Sequence, residues 1–150
     1  MAISIDSAAR RICEIGDWKI TNLALQKTLY LTHMYHLGYH GAPLVNEAFE
    51  AWDYGPVLPE LYRRVAMFGA KPIQDIFRFD EDCEGSLELS TINAVAPGLV
   101  SRPPAELVSI THWTQGAWAR NYRPNLRGII ISNMDIADEF NRRAGRARAA

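Results

Sequence analysis

Apolar residues recur at helical spacing along most of the chain. Between Thr21 and Gly41, Leu23, Tyr30, Met34 and Leu37 form one row, and Leu25 and Leu29 widen it. A stripe that wide needs more than one packing neighbour, so the pattern predicts a central helix over about 22–40. Thr21 offers a hydroxyl to an orphan N–H of the first turn. Gly38 and Gly41 bracket the other end, and Gly41-Ala42-Pro43 stops it. A first helix over about 7–15, opened by Asp6 or Ser7, turns Ala8, Ile12 and Ile15 inward and breaks at Gly16-Asp17. Pro59 suits a first helical turn, and that helix runs to about Phe68 with Leu58, Leu61, Tyr62, Val65 and Phe68 on one side.

The second half is more interrupted. Ser90 can cap a helix that Pro97-Gly98 interrupts and Pro103-Pro104 separates from the next. Pro104 opens that next helix, through about Trp113, with Leu107, Val108 and Ile110 inward. Ser132 or Asn133 caps a last helix with Met134, Ile136, Ala137 and Phe140 inward. Leu44 to Trp52 lacks helical or clean alternating order and reads as one leg of a small hairpin; Tyr54-Gly55-Pro56-Val57 reads as a turn. The β-branched run Ile129-Ile130-Ile131 can pair with that leg. The expected architecture is mainly α: a compact helical bundle around the 22–40 helix, with a small β hairpin or two- to three-stranded sheet (about 44–52 and 129–131). Residues 1–141 form one expected domain, and 142–150, with Arg142, Arg143, Arg146 and Arg148, a basic flexible tail.

Composition narrows the classes. The 150 residues are 48% hydrophobic, enough for a core without disulfides or metal. Sixteen Lys and Arg against 17 Asp and Glu give no general attraction to nucleic acid or anionic membrane. Two isolated cysteines, Cys13 and Cys83, with no signal peptide and no ~20-residue apolar run, point to the cytoplasm.

Candidate chemistry is sparse. His33, His36 and His40 recur at helical spacing, where imidazoles can share a metal, but no H-E-x-x-H or following carboxylate accompanies them, so no metal or cofactor is expected. His112, with Glu50 and Asp53 flanking Trp52, is the one group that could support a hydrolase; an aligned acid, base and nucleophile are not evident. Phosphate-loop, dinucleotide and G-x-S-x-G strings do not occur. Cys13 reads as packing, and the acidic run 80–85 as solvated surface.

The strings Leu25-Gln26-Lys27-Thr28-Leu29-Tyr30, His36-Leu37, Gly41-Ala42-Pro43-Leu44, Glu50-Ala51-Trp52-Asp53-Tyr54-Gly55-Pro56-Val57 and Leu61-Tyr62 occur in order. They resemble the Panacea (GepA-like, SocA-like) antitoxin domain, with its L-Q-K-L-L-Y helix and E-A-W-x-x-G-P-V turn. Thr111-His112, with Trp118 a little late, resembles its T-H-x-x-x-x-W block, and Ile131 to Phe140 its closing segment. The resemblance implies a helical, non-enzymatic antitoxin that neutralises a cognate toxin protein by binding it. Its SocA-like branch further implies a proteolysis adaptor that delivers the toxin to the ClpXP protease. Gln26, Lys27, Tyr30, Glu50, Trp52, Gly55, Pro56, Thr111 and His112 are then expected to define the fold. Aromatics and arginines anchor interfaces, so Tyr35, Tyr39, Tyr54, Tyr62 and Arg63 are the expected toxin-facing residues. The competing readings are a DNA-binding regulator of its own operon and, behind it, the His112/Glu50/Asp53 hydrolase.

Overall fold

A computed structural model describes residues 2–145. In chain order it holds α1 (Ile5–Ile15), α2 (Asn22–His40), β1 (Phe49–Trp52), β2 (Gly55–Val57), α3 (Pro59–Val65), α4 (Leu87–Val100), α5 (Pro104–Thr111), α6 (Ala117–Asn121), β3 (Ile130–Ile131) and α7 (Asn133–Arg143). Short 3-10 turns follow α3 at Ala66–Phe68 and precede α4 at Glu81–Cys83. The protein is mainly α with a small sheet, as the apolar pattern predicts.

Helix α2 is the axis. It packs against α1, α4, α5 and α7, and touches α3 and β2. Every residue from Ala24 to Met34 is buried. The Thr21 hydroxyl accepts the Ala24 N–H at one end, and Gly41 takes a left-handed conformation (φ 67°) at the other. Encirclement has a cost: Gln26, Lys27, Thr28, Thr32, His33 and His36 are buried too, where a polar group without a hydrogen bond is destabilising. Leu23, placed in the apolar row by its spacing, instead lies at an open end and is 36% exposed.

The sheet has the order β2-β1-β3, antiparallel throughout. Strand β1 meets β2 with Trp52 opposite Gly55, and β3 with Phe49 opposite Ile131. The expected pairing of 44–52 with 129–131 is therefore present, but the strand starts only at Phe49. Leu44 and Val45 are buried in irregular backbone, where the Leu44 carbonyl accepts the Ile3 N–H. Gly55–Val57, expected as a turn, is the second leg; the turn itself is Asp53-Tyr54.

Other boundaries move for identifiable reasons. Helix α1 starts earlier because the Ser4 hydroxyl caps it, accepting the Ser7 N–H; the buried Ser7 hydroxyl accepts the Asp80 N–H. Ser86, not Ser90, caps α4. That helix runs through Pro97, because Pro97 and Asn93, whose carbonyl loses its helical partner there, both lie on the exposed face. Helix α5 stops at Thr111, and α6 has no counterpart in the sequence reading. Ser132 caps α7, whose Ile136 and Phe140 point inward while Met134 is 72% exposed. Arg142 and Arg143, expected in the tail, belong to α7 and pair with Asp138 (2.9 Å) and Glu139 (2.7 Å). Arg146 and Arg148 lie outside the described residues. Among the described residues no helix is long and apolar enough to cross a membrane.

Gly38 lies directly against the Phe140 ring of α7. A Cβ there would fall 2.1 Å from the Phe140 ring. Gly38, read from the sequence as bracketing the helix end, lies within α2 and makes room for this contact. Gly38→Ala gains up to about 1 kcal/mol of helix propensity but overpacks the contact by about 1–3 kcal/mol. The expected outcome is a lower urea midpoint with unchanged m-value; a raised midpoint would show that Phe140 yields freely.

Candidate protein-binding site

Two of the buried polar residues of α2, Gln26 and Lys27, find partners at the hairpin and its exit. Gln26 is buried beside the start of α3, and its Oε1 accepts the Leu58 N–H at 2.9 Å. Its Nε2 donates to Asn22 Oδ1 at 3.1 Å, which sets the amide's orientation. Lys27, on the next position, donates from Nζ to the Pro56 carbonyl at 3.1 Å. The outer Pro56 carbonyl of β2 and the Leu58 N–H that follows the strand are thus satisfied by side chains rather than by another strand.

This clasp requires glycine at position 55. Gly55 has φ 116°, a conformation L side chains rarely adopt. A Cβ there would also fall 2.9 Å from Lys27 Cε and 3.1 Å from Thr111 Oγ1. Thr111 is itself fixed, its hydroxyl turned back onto the Leu107 and Val108 carbonyls of α5. His112 stacks on Trp118 with ring centroids 3.8 Å apart, and Trp118 stacks on Tyr122 at 4.7 Å. The Trp118 indole N–H donates to the Trp52 carbonyl at 2.7 Å, and the Tyr122 hydroxyl donates to Asp53. Thr111, His112 and Trp118 therefore brace the hairpin from the α5–α6 side. Burial lowers the His112 pKa.

A second polar centre lies deeper along α2. The Tyr30 hydroxyl donates to Glu139 Oε1 at 2.7 Å. The same oxygen accepts the Ala117 N–H at 2.9 Å, and Oε2 accepts from Arg143. Glu139 has no exposed surface and ties α2, α6 and α7 together. Burial, with the Glu139 charge behind it, raises the Tyr30 phenol well above its usual range. Sequence reasoning missed Glu139. Its spacing to Arg143 signals a helix-surface ion pair, and nothing local shows that the pair is covered.

The histidines on α2 diverge. His33 Nε2 meets Asn133 Oδ1 at 2.9 Å, whereas His36 faces Thr91 and Glu88 of α4. Burial pushes His33 down to about 4. His33 and His36 are core residues. No metal-holding group of three or more His, Cys, Asp or Glu occurs among the described residues.

Beside the clasp opens a cleft of about 960 Å³ whose walls include Leu23, Trp52, Tyr54, Tyr62, Arg63 and Leu126. Trp52 and Tyr62 meet edge to face at 4.9 Å, and Tyr54 is 72% exposed. Glu50 and Asp53 also line it, but His112 is not among its walls. Glu50 accepts the Trp52 indole N–H, and Asp53 accepts the Tyr122 hydroxyl. Of the five expected contact residues, Tyr54, Tyr62 and Arg63 come together here. Tyr35 and Tyr39 lie about 12 Å and about 18 Å from Lys27 along the helix axis, stacked on each other and edge-on to Phe140. The wall at Leu126 and Arg127 was not foreseen, because it comes from an irregular segment with no periodicity.

These features define a class: a helical domain whose central helix clasps a small sheet through buried polar side chains, beside an open aromatic cleft. The chain belongs to the Antitoxin SocA-like, Panacea domain family, whose model matches residues 25–119. It is 36% identical over 143 residues to Antitoxin SocA of Caulobacter vibrioides (strain NA1000 / CB15N), covering 83% of this chain and 73% of that protein. No solved structure matches.

Lys27 gives the clasp a pH signature. Burial without a carboxylate partner pushes its amine down to about 7. The unfolded chain then binds more protons than the native one between about pH 7 and the ordinary lysine value, so stability rises with pH in that window. Between pH 7 and 9 the gain is about 2 kcal/mol. Urea titrations should show this rise in the intact protein and its loss in Lys27→Met; parallel pH profiles would place Lys27 in contact with water.

Proposed function

We propose that this protein is an antitoxin that binds and neutralises a cognate toxin protein. Family membership supports the role. The observation that carries the mode of action is the division of labour around the hairpin. Gln26, Lys27 and Thr111 are hydrogen-bonded within the fold, and the His112 ring is stacked on Trp118. Leu23, Tyr54, Tyr62 and Leu126 remain exposed along one cleft. Clustered exposed rings beside arginine are the composition of a protein interface. Tyr54, Tyr62 and Arg63 are assigned to the toxin; Tyr35 is half-buried against Phe140, and Tyr39 lies at the far end of α2.

The test is co-expression with the product of the adjacent gene. The intact chain should restore growth and co-elute with that product. A Tyr54→Ala/Tyr62→Ala variant should fold with a nearly unchanged melting temperature and bind at least about tenfold more weakly. Wild-type binding by that variant would move the contact elsewhere.

The finer mechanism belongs to the same proposal: the chain delivers its toxin to the ClpXP protease, and the basic C-terminal end contacts the unfoldase. Since Arg142 and Arg143 are paired within α7, the informative truncation ends at Gly145. It should leave the toxin complex intact and slow toxin degradation by ClpXP. Loss of the complex itself would place the tail in the toxin contact.

A further inference from the structure

The cleft carries charge as well as rings, and the two signs are not equally occupied. Its carboxylates, Glu50 and Asp53, each accept a hydrogen bond from an aromatic donor of the same chain. Lys27 is sealed beneath, on the Pro56 carbonyl. Arg63, on α3, and Arg127, in the segment before β3, also line the cleft, and neither has an ion-pair or hydrogen-bond partner among the described residues. By contrast Arg64, next to Arg63, is paired with Asp6. Two unpaired guanidinium groups therefore flank an apolar wall of Trp52, Tyr62 and Leu126.

Each part of this arrangement selects a feature of its occupant. The rings and Leu126 offer contact area that gains only when water leaves it, so they favour a large aliphatic or aromatic side chain. Guanidinium groups present planar pairs of donors that match a carboxylate. Resting on the antitoxin reading above, we propose that this cleft receives a segment of the toxin in which a large apolar residue stands within a few positions of Asp or Glu. The apolar side chain fills the wall, and the carboxylate reaches Arg63 and Arg127.

The test uses the full chain and two probes: the intact product of the adjacent gene, and overlapping 15-residue peptides spanning its sequence. The peptides bound should combine an aromatic or large aliphatic residue with a nearby acid. Arg63→Glu/Arg127→Glu should bind both probes at least about tenfold more weakly at low salt, with a flatter dependence on salt. Both positions are exposed and unpaired, so its melting temperature should match the intact protein's. Replacing the acid of the bound peptide by Arg should restore binding to this variant and weaken it to the intact chain. Tyr39→Ala, at the far end of α2, should bind as the intact chain does. If the double variant holds the toxin as tightly as the intact chain, or the bound peptides lack acids, the cleft assignment is overturned while the antitoxin reading stands. If the intact chain binds neither probe, both fall.

Discussion

Two main-chain groups of the hairpin, the Leu58 N–H and the Pro56 carbonyl, find their partners in side chains of the central helix. The outer edge of β2 faces α2, where no further strand can pair with it. Left unpaired and buried, each group would cost about 1–3 kcal/mol. Gln26 and Lys27 stand in for the missing strand, one accepting and the other donating. That requirement explains a glutamine and a lysine in the middle of a buried helix, positions where propensity and hydrophobicity alone would place leucine. It also explains Gly55, which must keep clear of Lys27 and Thr111.

The same logic repeats around Glu139, which gathers a phenol, a main-chain N–H and a guanidinium from three helices. Gln26, Lys27 and Glu139 are almost wholly buried. The family match spans residues 25–119 and so takes in Gln26, Lys27, the hairpin, Thr111 and His112, while Glu139 lies beyond it. The matched motifs read physically as instructions for seating a hairpin on a helix. The open rings beside that hairpin are the surface proposed for a partner.

The sequence makes some of this legible and hides the rest for stated reasons. Local signals carried α2: its Thr21 cap and Gly41 stop lie where the apolar stripe begins and ends. Pro59 and Pro104 marked helix starts, and Ile130–Ile131 paired with β1 as their branching suggests. The errors came where tertiary setting overrode a local rule. Pro97 reads as a break, yet the lost hydrogen bond falls on the exposed face. Met134 matches the apolar spacing of α7 but lies exposed in its first turn. The spacing of His33 and His36 gives no sign of their burial, because periodicity cannot show that α7 and α4 supply their partners. The cleft was legible by half: Tyr54, Tyr62 and Arg63 were suspected from residue type, whereas Leu126 and Arg127 join them only through the long return of the chain to β3.

The account rests on the hairpin edge being held by α2 side chains, and amide hydrogen exchange at Leu58 measures that directly. In the intact protein the Leu58 amide should exchange as slowly as amides of the core. In Gln26→Met, which preserves volume and removes the acceptor, it should exchange much faster relative to amides of α4 in the same molecule. Equal slowing at Leu58 in both proteins, after correction for global stability, would contradict the account.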